Sequence, residues 1–302
     1  MINGSLSKLC GHRVVLFGGS GFVGAHLSRL LRSVGAEVGV VTRAVREPTE
    51  CGPGLTLLPS SDVIAAAVDR FEPDAVANLL VCYGREGESV GEMVRVNSLA
   101  PVEIADCCNS RGVRLVHVDT FSWKPRTGAM MDNAYARTKR LAGELITGMS
   151  LGRTSVAIAR LEFPYGPGDR AHKLIPSLLR AFASHQPSFD LSDGEQTRDF
   201  VWVDDVANAL AALFVAELPV GVTEVEVGTG SAVRLRDFAM ELREACGAPT
   251  ELRFGSRPRL PGDMETSYAD TDWLRRIGAL PTVSFREGCR RLAASLQGPN
   301  SA

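Results

Sequence analysis

A chain of 302 residues with 45% hydrophobic and 23% charged residues has the composition of a soluble globular protein that buries a full core, and its length suits one large α/β unit or a main domain with a smaller appendage. The formal charge of −2, with Lys and Arg scattered along the chain, gives no electrostatic basis for binding nucleic acid or an anionic membrane. Seven cysteines without a CxxC pair suggest neither a disulfide framework nor a metal site; residues 1–10 lack the apolar core of a signal peptide, no apolar run approaches the roughly 20 residues that span a bilayer, and a cytoplasmic protein is expected.

From Arg13 onward, short apolar runs at 13–17, 37–41, 55–58, 75–79, 113–118 and 155–159 alternate with stretches at 21–34, 63–71, 90–110 and 135–149 in which apolar residues recur three and four apart. That alternation calls for parallel strands joined by helical crossovers, so a Rossmann-like doubly wound sheet is expected over residues 12–164. The rhythm breaks at Gly166-Pro167-Gly168, and the later segments are mixed and separated by Gly and Pro. A smaller C-terminal α/β lobe is therefore expected at 165–198 and 230–302. Between these, 200–203 followed by 205–216 reads as strand then helix, with Asp204 or Asp205 placed as the helix cap, and the chain is expected to return to the first domain at about 199–229.

The run VVLFGGSGFVGAHLSRLL sets Gly18, Gly21 and Gly24 directly after the first strand and at the opening of a helix. Gly18 permits the tight turn, Gly21 lets the backbone approach a pyrophosphate, and Gly24 allows close helix–strand packing; Ser20, Phe22 and Val23 complete a turn whose free N–H groups face the anion. A bound nicotinamide dinucleotide is expected. At the end of the second strand, where an acid would accept hydrogen bonds from the ribose of NAD, the residues are Val41-Thr42-Arg43. Arg43, beside Thr42 and near Arg46, suits the extra 2′-phosphate of NADP(H), the other reading being a solvated loop cation.

Tyr135 and Lys139 lie four apart at the start of a helix, on one face. A phenol with an ordinary pKa near 10 exchanges a proton at neutral pH only if its phenolate is stabilised, and an ammonium one turn away does so. Lys139 also suits the nicotinamide ribose. Such a pair is ordinarily a surface pair, and the glycine turn upstream is what gives it weight.

Taken together, GGSGFVG, HVDTFS, YARTK, PYGPGD and QTRDFVWVDDVA resemble the extended short-chain dehydrogenase/reductase family, specifically its nucleotide-sugar epimerases, dehydratases and reductases, over nearly the whole chain. The resemblance implies that Thr120 hydrogen-bonds the reacting oxygen, with Ser122 as the alternative. It also implies that Pro164 and Tyr165 line the nicotinamide, that Asn97 has a structural role, and that Arg198 binds the substrate's diphosphate unless it pairs with Asp199 or another acid. Helices 90–110 and 135–149 correspond to the pair that often builds a dimer interface in that family, so a homodimer is expected.

Dehydratases of that family follow the Thr with an Asp-Glu pair that supplies the extra acid and base; here Phe121-Ser122 follows, which disfavours dehydration. An epimerase retains NAD, whereas a reductase releases its cofactor each turn and commonly draws on NADPH, so Arg43 argues for a reductase. The segments Cys82-Tyr83-Gly84-Arg85-Glu86, Asp119-Thr120-Phe121 and Leu161-Glu162 ahead of Tyr165 further resemble the CDP-abequose and CDP-paratose synthase type. That implies NADPH-dependent reduction of the C4 ketone of a nucleotide-linked 4-keto-6-deoxyhexose, with Tyr83 and Arg85 facing the sugar. Leu260 stands where a diphosphate-binding arginine is expected, and Arg259 is the substitute. A nucleotide-sugar 4-epimerase with tightly bound NAD, and a non-catalytic NADP(H)-binding sensor or scaffold, are the competing readings.

Overall fold

The first strand, β1 (Arg13–Phe17), is buried at every position after Arg13, as a central parallel strand covered on both faces must be. The computed structural model describes residues 6–59, 64–124, 129–259 and 262–296; Val63, residues 125–128 between Thr120 and Tyr135, and Leu260 lie outside them. After β1 come α1 (Phe22–Ser33), β2 (Glu37–Thr42), β3 (Thr49–Glu50), β4 (Leu55–Pro59), α2 (Ile64–Phe71), β5 (Ala75–Asn78), α3 (Val90–Val94), α4 (Ala100–Arg111) and β6 (Arg114–Thr120). These are followed by β7 (Trp123–Lys124), β8 (Ala129–Met130), α5 (Ala134–Gly148), β9 (Ser155–Leu161), β10 (Phe163–Tyr165), α6 (Leu174–Ala183), β11 (Ser188–Asp190), β12 (Thr197–Arg198), β13 (Phe200–Trp202) and α7 (Val203–Val215). The chain then runs through β14 (Gly221–Val227), β15 (Val233–Arg234), α8 (Leu235–Ala245), β16 (Glu251–Arg253), α9 (Asp272–Arg276) and α10 (Phe285–Ser295).

The large sheet has eight strands in the order β14-β9-β6-β5-β1-β2-β4-β3, parallel except for β3, which runs antiparallel to β4. All six expected strands lie in it. The two additional members are edge strands; in β14 Glu224 is exposed, while Val225, Glu226 and Val227 are buried. From β1 the order proceeds one way to β2 and β4 and the other way to β5, β6 and β9, so a crevice opens between the ends of β1 and β5.

Apolar stripes cover both faces. Leu27 and Leu31 of α1 and Leu210 and Leu213 of α7 pack over Val14 and Leu16, while Val68 of α2, Ile104 of α4 and Ile146 of α5 cover Val15 and Phe17. Each such fully buried aliphatic side chain contributes about 1.5–3 kcal/mol. A second core joins Tyr165, Phe200, Trp202, Phe238 and Leu292, with Phe200 and Phe238 stacked at 4.1 Å and Tyr165 edge-on to Phe238 at 5.1 Å. This corrects the expectation that Tyr165 lines the nicotinamide. Its ring is 1% exposed inside the smaller lobe, and a Cβ at Gly288 of α10 would collide with its hydroxyl. Pro164, paired with Val201, stays half-buried on β10. Among the described residues no helix is long and apolar enough to cross a membrane.

Asp204 and Asp205 do not cap α7, whose N-cap is Trp202 with no side-chain cap bond. Each answers a distant partner instead: Asp205 accepts from the backbone N–H groups of Thr282 and Val283 at 3.1 and 2.8 Å, and Asp204 accepts from Trp202 Nε1 at 3.0 Å and pairs with His26 Nδ1 at 2.6 Å. The other ring nitrogen of His26 lies 3.0 Å from the Pro167 carbonyl oxygen. Both neighbours accept, so both ring nitrogens donate and the buried imidazole is held as imidazolium. The hydrogen bond to Asp204 raises its pKa above the ordinary 6.5, against the cost of burial. A raised folded-state pKa means that this stabilisation is complete below the unfolded-state value and is lost as pH rises through the folded one. Thermal denaturation should therefore show a decline in Tm as pH rises above the ordinary imidazole value of 6.5 that is absent in His26→Asn, the variant itself being about 1–3 kcal/mol less stable below it. Equal pH dependence in the two proteins would refute the imidazolium assignment.

Candidate active site

At the crevice the backbone closes on itself. Gly18 has φ +80°, and a Cβ there would sit 2.8 Å from the Leu79 carbonyl carbon; one on Gly24 would sit 2.5 Å from Gly18 O and 2.6 Å from Gly19 Cα. Gly21 is the extended N-cap of the twelve-residue α1, and no side chain caps that end. The N–H groups of the turn, with Ser20 and Gly21 exposed at its tip and Phe22 and Val23 half-buried behind, thus form a cradle open to an anion. These residues fit the pyrophosphate of a dinucleotide. Arg43 is exposed immediately beyond β2 and pairs with no carboxylate among the described residues. Next to it, Thr42 Oγ1 accepts from Ala44 N at 3.2 Å and shapes the turn.

Thr120 ends β6, and Tyr135 and Lys139 lie on α5, whose N-cap Asn133 accepts from Ala136 N at 2.9 Å. The fold brings the three together. The Thr120 hydroxyl faces the Tyr135 phenol, where it opposes the rise of the phenol's pKa, and lies 3.0 Å from Ser122 Oγ, while Lys139 Nζ, 2% exposed, donates to the Val118 carbonyl at 2.8 Å. The expectation that Lys139 lowers the phenol's pKa needs correction. Burial dominates and pushes Tyr135 well above its usual range, with the nearby Tyr83 adding to the rise and Thr120 opposing it. Burial likewise lowers Lys139, against the pull of Asp119. The phenol is held protonated, the state a proton donor requires.

Asn97 sets the approach of Tyr83 to this group. Its amide bonds both ways with the backbone of Cys82, accepting from N at 2.8 Å and donating to O at 2.7 Å, and donates to Thr138 Oγ1 at 3.0 Å, which in turn donates to the Tyr135 carbonyl. The loop after β5 is thereby stapled to α5, and the Tyr83 and Tyr135 rings meet at 5.0 Å. Asn97 lies in a π turn, Arg95–Leu99, between α3 and α4. Pro101 has no N–H to continue the ladder, and the extra residue absorbs the break.

The two arginines expected to hold a diphosphate are engaged elsewhere. Arg198 is 4% exposed, with Nη1 donating to the carbonyls of Thr197 and Met264 at 2.7 Å each and Nη2 to Asp263 at 2.5 Å. Arg259 spans Asp193 at 2.8 Å and Glu265 at 2.7 Å. Asp199, the acid beside Arg198, instead accepts from the N–H groups of Thr229, Gly230 and Ala269.

One cluster beside the site was not anticipated. Lys124 donates to Glu162, to Glu226 at 3.1 Å and to the Tyr268 carbonyl at 2.6 Å, while Ser267 donates to the second oxygen of Glu162 at 2.7 Å. Burial raises Glu162 to about 7 even though Lys124 pulls the other way. The signal available in the sequence was an acid, Glu162, directly after an apolar strand.

Residues 14–225 match the NAD dependent epimerase/dehydratase family. A CDP-abequose synthase of Salmonella typhimurium is 29% identical over 94% of this chain and 98% of its own length. A dTDP-6-deoxy-L-talose 4-dehydrogenase (NAD(P)(+)) of Kitasatospora kifunensis is also 29% identical, over 93% and 94%. Among solved structures, MoeE5 in complex with UDP-glucuronic acid and NAD superposes with a TM-score of 0.79 at 26% identity, over 94% of this chain and 99% of that one.

The packing at Gly24 generates a direct test. Gly24→Ala forces a methyl group into two backbone segments that cannot move aside, at a cost of about 1–3 kcal/mol, and should abolish binding of a nicotinamide dinucleotide, NADH or NADPH, followed by fluorescence titration, while Ala25→Ser, at the exposed neighbouring position, leaves it intact. Unchanged dinucleotide affinity in Gly24→Ala would remove the cofactor from this turn.

Proposed function

The chain belongs to the NAD dependent epimerase/dehydratase family, and from that premise we propose that it is a nucleotide-sugar reductase that uses NADPH to reduce the C4 ketone of a nucleotide-linked 4-keto-6-deoxyhexose. The observation that carries this reading is the grouping of Thr120, a protonated Tyr135 and Lys139 at the end of β6, with Phe121 and Ser122 where a dehydratase needs an acid and a base. The names of the CDP-abequose synthase and the 4-dehydrogenase among its relatives support the same chemistry. Arg43, exposed and unpaired among the described residues beyond β2, supports NADPH over NADH.

When bound, the cofactor supplies the hydride. Thr120 and Tyr135 both donate to the substrate's carbonyl oxygen, polarising it and stabilising the negative charge that develops there. Tyr135 transfers its phenolic proton to that oxygen, and Lys139, whose ammonium donates to the Val118 carbonyl of β6, is the residue on the same helix face that would hold the nicotinamide ribose. Half-buried Pro164 is the residue of the 164–165 pair that stays available to the nicotinamide.

The test is incubation with NADPH and 4-keto-6-deoxyhexoses carried on CDP, dTDP, UDP or GDP, read as loss of the NADPH absorbance. Turnover is expected with at least one, and Tyr135→Phe should lower kcat on the order of a hundredfold or more. A preference for NADH would overturn the role given to Arg43. Sugar interconversion without net oxidation, with NAD released on denaturation, would establish the 4-epimerase instead, and intact NADPH binding with no turnover on any sugar would favour a sensor.

The same reading includes a homodimer. Its support is exposed apolar surface on adjoining helices: Val90 (61%) on α3, Leu99 (49%) in the π turn, and Leu141 (42%) and Leu145 (44%) one turn apart on α5. Light scattering should give twice the chain mass, and Leu141→Glu with Leu145→Glu should give the monomer. A native chain that is monomeric at micromolar concentration would refute it.

A further inference from the structure

Thr120 and Ser122, the two hydroxyls of the site, lie at and just beyond the end of β6, where the ladder of the sheet no longer holds the chain. The backbone there makes its own bonds: Phe121 N donates to the Leu161 carbonyl at 2.8 Å, Ser122 N to Thr120 Oγ1 at 3.1 Å, and Met131 N to the Ser122 carbonyl at 2.7 Å. The next two residues, the strand β7, anchor this segment in opposite directions. Trp123 Nε1 donates to Asp119 at 3.2 Å, and its ring lies so close to α5 that a Cβ on Gly143 would stand 2.7 Å from it. Lys124 is buried, and its ammonium donates to three separate parts of the chain: Glu162 directly after β9, Glu226 on β14, and the Tyr268 carbonyl in the stretch between β16 and α9.

Each of the two carboxylates is itself tied to that last stretch. Ser267 donates to the other oxygen of Glu162 at 2.7 Å, and the N–H of Asp270 donates to Glu226 at 2.8 Å. Burying one ammonium with two carboxylates gains little stability over neutral side chains of similar volume, so holding the fold together does not account for the cluster. What the cluster adds is direction. An ammonium whose three donors are all taken has one position, whereas an apolar side chain in the same space can slide. The contacts of Lys124 are protein acceptors, so any effect on the site passes through the chain two to four residues ahead of it.

Resting on the reductase reading above, we propose that Lys124 is a positioning residue for the reduction, fixing the hydroxyls of Thr120 and Ser122 beside Tyr135 by tying the segment beyond β6 to β9, β14 and residues 267–270. Trp123 sets the same segment against the helix that carries Tyr135, so the distance between proton donor and hydroxyls is fixed from both sides. A displacement of these hydroxyls by about 1 Å costs on the order of a hundredfold in rate.

Lys124→Met alone strands two buried carboxylates and can prevent folding, so the decisive variant is Lys124→Met with Glu162→Gln and Glu226→Gln, which removes the cation and both charges together and should leave Tm close to native. On whichever nucleotide-linked ketosugar the native chain reduces, the triple variant should lose about tenfold or more in kcat, with KM within about twofold, because the bonds from the hydroxyls strengthen only as charge develops on the carbonyl oxygen. Lys124→Arg keeps the charge but replaces three diverging donors with a planar fork, and should lower kcat in the same way. Native kcat in either variant would overturn the proposal and leave the reductase reading intact. Amide hydrogen exchange gives a readout that needs no turnover. The N–H groups of Phe121, Ser122 and Met131 should exchange about tenfold or more faster in the triple variant, while those of Val14 and Val15 stay as slow as in the native chain. Unchanged exchange at the three positions would overturn the positioning role, whereas faster exchange in a chain that reduces no nucleotide sugar would overturn the reductase reading alone.

Discussion

The geometry of the whole cleft depends on how closely two stretches of backbone meet at Gly18 and Gly24. A Cβ on Gly24 would stand 2.5 Å from Gly18 O, and one on Gly18 would stand 2.8 Å from the Leu79 carbonyl carbon, so the turn is wedged between the ends of β1 and β5. That wedge starts α1 directly over the end of β1 and points its uncapped N–H groups into the crevice. Because β5 pairs with β6 in register, Asn78 against His117, the same contact places the loop carrying Tyr83 and the strand end carrying Thr120 on either side of one space. The placing of the glycine turn, Tyr83 and Thr120 around one cleft follows from a place where no side chain fits.

What could be read in advance was whatever rests on local periodicity and local turn chemistry. The alternation of strand and helix, the glycine turn and the four-residue spacing of Tyr135 and Lys139 are of this kind, each visible within a short window. What could not be read were choices of partner made across the chain. Asp204 has the spacing of a helix cap, yet a histidine 178 positions away takes its carboxylate. Arg198 looks free for phosphate until Asp263, 65 positions on, is folded against it. Tyr165 follows a strand that ends at the cleft, but the aromatic residues of β13 and α8 and the gap left by Gly288 draw it into the other core. The edge strand β14 is hard to read because Glu224 and Glu226 interrupt its apolar run; the edge leaves Glu224 exposed, while Glu226 is buried against a lysine 102 positions away.

Charge is distributed unevenly around the site, and the division has mechanical meaning. Beneath it, Lys124 with Glu162 and Glu226, and Arg160 with Asp119 at 3.2 Å under the Trp123 ring at 4.4 Å, are buried. Such pairs add little net stability over an apolar core, but breaking one is costly, so they fix the segment carrying Thr120 and Ser122 against β9 and β14. At the rim Arg170 and His172 are exposed and share the exposed Glu86, while Lys173 is held at 2.8 Å by Asp169. The buried charges thus hold the strand end that carries Thr120 and Ser122, while the charges of Arg170, His172 and Glu86 stay open to solvent.

The π turn that holds Asn97 also sets a limit on length variation. An α-helix advances about 100° per residue, so deleting one residue from Arg95–Leu99 would return a regular helix and swing α3 by that angle about the axis of α4. Asn97 would leave Cys82 and Thr138, and the apolar side chain of Val90 would turn to a different side of the molecule. One surplus residue in a helix thus ties the contact between two tyrosines inside the cleft to the face the protein presents outside it. A change in chain length there alters both at once, whereas a change of side chain can alter either alone.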